Sequence, residues 1–280
     1  MSPRRIRGLA DIASRYDAFL IDQYGVIHDG ERLNEGAAEA IANLGAAGKA
    51  VVVMTNSGKR SRTNRQRLSA MGLDLELPQV VSSGEVAYEL IATDKLGQPF
   101  ERGRKACIIG RRGDDYGFDG LDLEFVARPE DAEFILILGT NVPQWRIEDY
   151  PRFLAAASQK AIPALCCNPD LQMLTASGVH PAPGAIARIY EKKGGKVTYI
   201  GKPEKAIYDF AIQAAGFPKR SRTLAIGDSI SHDVVGARVA GIAVALVLTG
   251  LSHGLTNAAI GRQCEVSKAA PDWIVQSLEW

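Results

Sequence analysis

Long apolar runs are missing from this sequence of 280 residues. No stretch approaches the roughly 18 to 20 apolar residues that cross a bilayer. The basic start, MSPRRIRGLADIASRYD, has neither an apolar segment nor a small-residue cleavage site. These absences argue against a membrane protein and against a secreted one. We therefore expect a cytoplasmic protein with no membrane partner.

A large excess of charge of one sign is also missing. The chain has 33 basic and 32 acidic residues and a net charge of +1, so no global field attracts it to nucleic acid. One basic cluster comprises Lys59, Arg60, Arg62, Arg65 and Arg67. Because no aromatic residues interleave with it, we interpret the cluster as a solvated helix face and expect no nucleic-acid partner.

Cysteine is scarce, and the chain lacks repeats and proline-rich linkers. None of the four cysteines has the spacing of a zinc site. Cys166 and Cys167 lie inside the apolar run IPALCCN, which favours buried free thiols. Any boundary between domains must therefore be short and local.

Short apolar runs rich in β-branched residues alternate with helical patterns. The runs are AFLID (18–22), AVVVMT (50–55), ACIIG (106–110), EFILILG (133–139), VTYIG (197–201), TLAIGD (223–228) and VALVLTG (244–250). Continuous apolar runs are typical of strands covered on both faces, which predicts a parallel sheet between helices. We therefore predict an α/β fold with a doubly wound parallel sheet.

Ligands of such sheets bind beyond the carboxyl ends of the strands, so the residues that follow the runs are candidate site residues. Asp22 ends the first run, and Gly25 and Gly30 then allow a close backbone approach and a left-handed turn. Together they suit a phosphate-sized ligand. A carboxylate with only a structural role in the turn is the alternative.

The segment MTNSGKRS offers hydroxyl and amide groups where a second strand ends. Thr55, Asn56 and Ser57 precede a predicted helix start, which is a typical anion site. A simple N-cap by Ser57 or Ser61 explains the same pattern. Lys202 stands before Pro203 at another predicted helix start, where a bound anion would compensate its charge. An ordinary surface lysine is the alternative.

The segment AIGDSISHDVVGARVAG contributes two acids. Asp228 ends a strand, and Asp233 follows a polar turn. With Asp22, they would form a hard-oxygen site of the kind that Mg²⁺ selects. As an alternative, Asp233 serves only the positive end of the following helix.

These segments, in this order, resemble the four motifs of the haloacid dehalogenase (HAD) superfamily of phosphatases. The resemblance rests on Asp22 with Gly25 and Gly30, Thr55 with Asn56, Lys202, and Gly227 with Asp228 and Asp233. The long interval from Thr55 to Lys202, with CCNPD, PAPGAIARIYEKKGG, GKP, VLTG and PDWIV, is similar to the class IIA, NagD-like branch. It implies a HAD-like Rossmannoid core of residues 1–83 and 179–280 and an inserted C2-type α/β cap domain of about residues 84–178.

The resemblance also implies roles for the site residues. It makes Asp22 the nucleophile that forms an acyl phosphate, and it implies that Mg²⁺ is held by Asp22, the carbonyl of Tyr24 and Asp228, with Asp233 in support. Thr55, Asn56 and Ser57 would bind the phosphoryl oxygens, and Lys202 would neutralise charge. The implied substrate is a small phosphorylated metabolite, either a sugar phosphate or nucleotide-like, and a homodimer is one assembly open to the chain.

Tyr24 departs from the pattern, because most phosphatases of the superfamily have a second Asp there that protonates the leaving oxygen and then activates water. Tyrosine, with a reference pKa near 10, is a poor base at neutral pH. The loss of general acid-base catalysis slows a reaction by roughly 10² to 10⁴. His28 and Asp29, further along the loop, are candidate substitutes.

Tyr24 leaves three hypotheses for the function. The main one is a Mg²⁺-dependent phosphatase, and the second is a metabolite-binding protein with little turnover. The third is a dehalogenase, because DQYG resembles the haloacid dehalogenases themselves. Against the third stand the acid pair Asp228 and Asp233 and the insertion of the long segment after the second motif.

Overall fold

The computed structural model describes residues 3–142, 144–175 and 178–280. Within these ranges the strands are β1 (Arg4–Arg5), β2 (Ala18–Asp22), β3 (Ala50–Thr55), β4 (Val80–Ser82), β5 (Arg104–Ile109), β6 (Leu123–Phe125), β7 (Phe134–Ile137), β8 (Ala164–Cys166), β9 (Gln172–Thr175), β10 (Gly178–Pro181), β11 (Val197–Tyr199), β12 (Thr223–Gly227), β13 (Ala243–Val247) and β14 (Trp273–Val275).

The helices alternate with these strands, as the sequence pattern predicts. They are α1 (Ala37–Ala46), α2 (Ser61–Ala70), α3 (Ser83–Ala92), α4 (Tyr150–Phe153), α5 (Ala155–Gln159), α6 (Pro183–Lys192), α7 (Lys205–Ala214), α8 (Val235–Ala240) and α9 (Asn257–Ser267). A π-helical turn, Ile230–Val234, leads into α8. The chain divides into two compact units: unit 1 is Met1–Thr55, Arg62–Val81 and Lys202–Trp280, and unit 2 is Asn56–Ser61 and Ser82–Gly201.

Unit 1 is built on a sheet with the strand order β1-β14-β13-β12-β2-β3-β4. Strand β2 is parallel to its neighbours β12 and β3, and strand β13 is parallel to its neighbours β12 and β14. The whole of β2 is buried, as expected for a strand covered on both faces. Helix α1 buries Ala37, Ala40, Ile41 and Leu44, which recur at the spacing of one helix face. This confirms the predicted α/β fold with a parallel sheet.

Unit 2 has its own sheet, with the order β11-β8-β7-β5-β6 and parallel pairing throughout. Strands β9 and β10 pair antiparallel in a separate two-stranded sheet. The predicted runs ACIIG and EFILILG supply β5 and β7, so the expectation of a small separate sheet is confirmed. Unit 2 is therefore an inserted α/β domain.

The boundary of the insert differs from the sequence prediction. We expected the core to resume at residue 179 and VTYIG to belong to it, whereas unit 2 extends to Gly201. The reason is pairing and packing: β11 runs beside β8, with Val197 opposite Ala164. Helix α6 buries Ile186 and Tyr190 in the apolar core of the same unit.

All four cysteines are free, and Cys166 and Cys167 are buried, as predicted. Cys107 is also buried, whereas Cys264 is only partly buried. Among the described residues, no helix is long and apolar enough to cross a membrane.

Candidate active site

Three neighbouring strands of unit 1 bring the candidate residues to one edge of the sheet. The register places Ile226 of β12 opposite Ile21 and Met54 of β3 opposite Asp22. Asp22, Thr55 and Asp228 therefore lie at or just beyond the carboxyl ends of adjacent parallel strands, where ligands of open α/β sheets bind. All three side chains are largely buried.

Lys202 joins two of the carboxylates. Its Nζ lies 2.5 Å from Oδ1 of Asp22 and 2.8 Å from Oδ1 of Asp233, and only 3% of the lysine is exposed. The backbone N–H of Gln23 donates a second hydrogen bond, of 2.7 Å, to the same Asp22 oxygen. Since both donors contact Oδ1, Oδ2 of Asp22 faces neither of them.

Burial and neighbouring charges shift the ionisation of this pair. Burial raises the pKa of Asp22 well above its usual range; Lys202 opposes the shift, and Asp233 and Asp228 add to it. Burial lowers the pKa of Lys202, but Asp22 and Asp233 outweigh it and hold that pKa well above its usual range. The lysine is therefore a fixed cation, and further positive charge would favour the ionised form of Asp22.

The three acids are close enough to hold one metal ion. Each of Asp22, Asp228 and Asp233 offers a carboxylate oxygen, and these oxygens lie within 4.8 Å of one another. With all three ionised, the ammonium of Lys202 leaves two negative charges uncompensated, which fits a divalent cation. An all-oxygen donor set is the chemistry that Mg²⁺ prefers.

Asp233 is held differently from the other two acids. Its Oδ1 accepts from Lys202, and its Oδ2 accepts from the backbone N–H of Ser229 at 3.1 Å. The carboxylate also packs across Gly227, where an added Cβ would lie 2.0 Å from its Cγ. This geometry fits a supporting acid better than a primary metal ligand.

The loop that follows β13 holds Asp228 through hydrogen bonds. The sequence did not identify this loop as part of the site. The N–H of Leu251 donates to Oδ2 of Asp228 at 2.7 Å, and Oγ of Ser252 donates to its carbonyl oxygen at 2.6 Å. Oγ1 of Thr249 donates to the carbonyl of Gly25 at 2.6 Å. The loop therefore ties Asp228 to the turn after Asp22.

Tyr24 lies in that turn, beside a histidine. Its ring meets the ring of His28 edge-on, with centroids 5.4 Å apart, and an added Cβ on Gly30 would lie 3.2 Å from its hydroxyl. Burial raises the pKa of the phenol, with Arg67 acting in the opposite direction. At neutral pH Tyr24 is therefore protonated and cannot act as a base.

His28 is a structural part of the same turn. It is 1% exposed, and burial lowers its pKa to about 4. The N–H of Gly30 donates to Nδ1 at 2.9 Å, so the neutral ring carries its proton on Nε2, which lies 3.0 Å from the amide of Gln23. The contacts with Gly30 and Gln23 therefore occupy both ring nitrogens of His28.

Two of the predicted substrate-binding residues belong to unit 2. Asn56 is buried, its Nδ2 donates to Asp170 at 2.9 Å, and its Oδ1 lies 3.4 Å from the hydroxyl of Ser83. Ser57 accepts from the backbone N–H of Lys59 at 3.3 Å. The helix expected near Lys59 begins at Ser61.

Comparisons with known proteins agree with this geometry. A family model described as haloacid dehalogenase-like hydrolase matches residues 19–124, and a HAD-hydrolase-like model matches residues 199–280. The two matched segments carry Asp22, Lys202, Asp228 and Asp233. This chain is a haloacid dehalogenase-like hydrolase.

Relatives and solved structures resemble this HAD-like hydrolase over most of its length. The sugar-phosphatase AraL of Bacillus subtilis is 26% identical over 93% of this chain and 90% of its own. A haloacid dehalogenase-like hydrolase from Brucella suis superposes with a TM-score of 0.83 at 28% identity, covering 98% of this chain and 99% of its own. The glycerol phosphate phosphatase of Mycobacterium tuberculosis, solved with magnesium, gives a TM-score of 0.76 at 25% identity, over 95% and 76% of the two chains.

The conformation of Gly250 yields a testable prediction for the HAD-like hydrolase. Gly250 has φ +48°, and an added Cβ would lie 1.8 Å from Oδ2 of Asp228, whereas Gly254 has φ +72° and no atom within 4 Å of that position. Gly250→Ala and Gly254→Ala should each lower the free energy of unfolding by about 1 to 2 kcal/mol through backbone strain. Only Gly250→Ala should also lose the rise in melting temperature that Mg²⁺ gives by binding the folded state. An equal rise in melting temperature with Mg²⁺ in the two variants would contradict the inference that the loop at Gly250 positions Asp228.

His28 yields a prediction about pH. Because its folded pKa is about 4 against an ordinary 6.5, the unfolded chain takes up the proton first as the pH falls. The contribution of the neutral ring to the free energy of unfolding is present above pH 6.5 and is lost as the pH falls towards 4. Urea unfolding at pH 7.5 and pH 5 should show that the wild type loses about 2 kcal/mol more than His28→Gln. An equal loss in both proteins would show that the ring is not held neutral.

Proposed function

We propose that this HAD-like hydrolase is a Mg²⁺-dependent phosphatase of small phosphorylated metabolites that uses Asp22 as its nucleophile. The observation that carries the proposal is the carboxylate of Asp22 at a strand end, paired with Lys202 and within 4.8 Å of oxygens of two further acids. The relatives named as phosphatases of sugar phosphate and glycerol phosphate support this substrate class. The homodimer and the cytoplasmic location stay predictions of the sequence.

The reaction follows from the two oxygens of Asp22. Oδ1 is held by Lys202 and the N–H of Gln23, so Oδ2 is the oxygen that attacks phosphorus. A bond forms between Oδ2 and phosphorus as the bond from phosphorus to the leaving oxygen breaks, and the leaving group departs with its electron pair. Water then attacks phosphorus, the bond to Asp22 breaks, and phosphate and the free carboxylate are released.

Fixed positive charge is what the approach of two anions requires. Lys202 supplies one charge, and its two carboxylate partners hold it in place through both steps. Bound Mg²⁺ supplies the charge that lets a carboxylate approach a phosphate dianion, and Asp22 and Asp228, with Asp233 in support, would hold it. We assign the binding of phosphoryl oxygens to Thr55 at the end of β3, with Asn56 and Ser57 as further candidates.

Dependence on metal separates this proposal from dehalogenation. The acid cluster predicts that hydrolysis of 4-nitrophenyl phosphate requires Mg²⁺ and stops when EDTA is added. A dehalogenase would be indifferent to EDTA and would release halide from short haloacids. Metal-independent halide release, with no phosphate release from any phosphorylated substrate, would overturn the proposed function.

Tyr24 predicts which phosphate esters react well. Its phenol, whose pKa burial raises, is a far weaker acid than the aspartic acid usual at this position. The phenol is therefore a poor proton donor to an alkoxide that departs in the first step, and both ring nitrogens of the buried His28 are already occupied by Gly30 and Gln23. Aryl and acyl phosphates, whose leaving groups depart readily as anions, should therefore be hydrolysed much better than alkyl phosphates.

Restoring an acid at position 24 tests this account. Tyr24→Asp should raise kcat on alkyl phosphates by something within the roughly 10² to 10⁴ range of general acid-base catalysis, with a smaller change on aryl phosphates. Tyr24→Phe is the matched control, because it removes the phenol without adding an acid and should gain nothing. If Tyr24→Asp folds, binds Mg²⁺ and still gains nothing on any alkyl phosphate, the missing acid is not what limits turnover.

A further inference from the structure

Tyr208 is a fully buried tyrosine on α7, the helix that begins three residues after Lys202. Its hydroxyl lies 3.1 Å from the carbonyl oxygen of Asp233 and 3.4 Å from that of His232. Its ring packs against α8, where a Cβ added to Gly236 would lie 2.5 Å from the ring and 2.6 Å from the hydroxyl oxygen. The hydroxyl is therefore confined to one position, with a backbone carbonyl as its acceptor.

The carbonyl that Tyr208 holds belongs to the acid that holds the lysine. The side chain of Asp233 is fixed by Lys202 on one oxygen and by the N–H of Ser229 on the other. Its main chain lies in the π-helical turn Ile230–Val234, and Tyr208 connects that turn to the helix after Lys202. The hydroxyl therefore links the two segments that supply opposite halves of the Lys202–Asp233 ion pair.

We propose that Tyr208 is a positioning residue: it fixes Asp233 relative to α7, so that the ammonium of Lys202 stays between Asp22 and Asp233. Tyr208 touches none of the reacting atoms and transfers no proton, because its hydroxyl donates to a backbone carbonyl. The catalytic consequence rests on the proposed function, whereas the position of the lysine does not.

A matched control distinguishes the positioning role of the Tyr208 hydroxyl from a purely structural role. Tyr190 in unit 2 is also fully buried, and its hydroxyl donates to the carbonyl of Ile162. Tyr208→Phe and Tyr190→Phe each remove one buried hydrogen bond between a tyrosine hydroxyl and a backbone carbonyl. A purely structural effect would lower the melting temperature in both variants and would change the chemical reactivity of Lys202 in neither.

The first measurement is the acetylation rate of Lys202 by acetic anhydride, followed by peptide mass spectrometry and normalised to the exposed Lys268. We expect Tyr208→Phe to raise this rate at least about fivefold, because the ammonium is no longer held between two carboxylates, and Tyr190→Phe to leave it unchanged. Gly236→Ala, whose added Cβ would lie 2.5 Å from the ring and displace it, should raise the rate as Tyr208→Phe does. It keeps the test decisive if Tyr208→Phe fails to fold.

The second measurement is the division between kcat and KM on 4-nitrophenyl phosphate with Mg²⁺. Tyr208→Phe should lower kcat about tenfold with KM within twofold, since misplacement of a catalytic group costs rate. In an Asp233→Asn background, Tyr208→Phe should lower kcat little further, because the effects of substitutions within one network are not additive.

The outcomes for the two claims are distinct. Equal acetylation of Lys202 in the wild type, Tyr208→Phe and Gly236→Ala would overturn the positioning role, even in an active enzyme. Absence of Mg²⁺-dependent activity in the wild type, with raised acetylation in Tyr208→Phe, would overturn the proposed function and support the positioning role.

Discussion

The candidate site depends on one buried ammonium placed between two carboxylates. Three acids whose oxygens lie within 4.8 Å of one another would repel strongly in a buried site if nothing balanced their charge. Lys202 balances part of it, and its contacts with Asp22 and Asp233 fix the two acids relative to each other. The charge that remains uncompensated makes the site suitable for a divalent cation.

Close backbone approach is the second constraint on the site. Gly25 and Gly250 have left-handed φ angles, and a Cβ on either would lie within 2.2 Å of a carboxylate oxygen of Asp228. Gly227 makes the same kind of room for Asp233. Glycine at these positions lets main-chain segments pack directly against the acids, so the carboxylates are held by backbone geometry as well as by hydrogen bonds.

The sequence predicts the parts of this arrangement that depend on local pattern. Strands β2 and β3 have the predicted bounds because an unbroken apolar run ends at a polar residue, Asp22 or Thr55, in each case. The grip of Leu251 and Ser252 on Asp228, and the contact of Tyr208 with Asp233, were not predicted. They join segments more than twenty residues apart through backbone atoms, and backbone atoms leave no signature in side-chain chemistry. The end of unit 2 was misplaced for a similar reason, because only pairing with β8 assigns β11 to that sheet.

The most direct test of the account is to look for phosphate on Asp22 itself. The account predicts that the enzyme, mixed with Mg²⁺ and acetyl phosphate and quenched in acid, carries an acyl phosphate. Borohydride should reduce this group to homoserine at position 22, detectable by peptide mass spectrometry. The adduct should accumulate, because the protonated phenol of Tyr24 and the buried ring of His28, whose Nδ1 already accepts from the N–H of Gly30, are poorly suited to activate water, and it should be absent in EDTA and in Asp22→Asn. Release of phosphate at the full rate by Asp22→Asn, or turnover of the wild type with position 22 unmodified, would contradict the account.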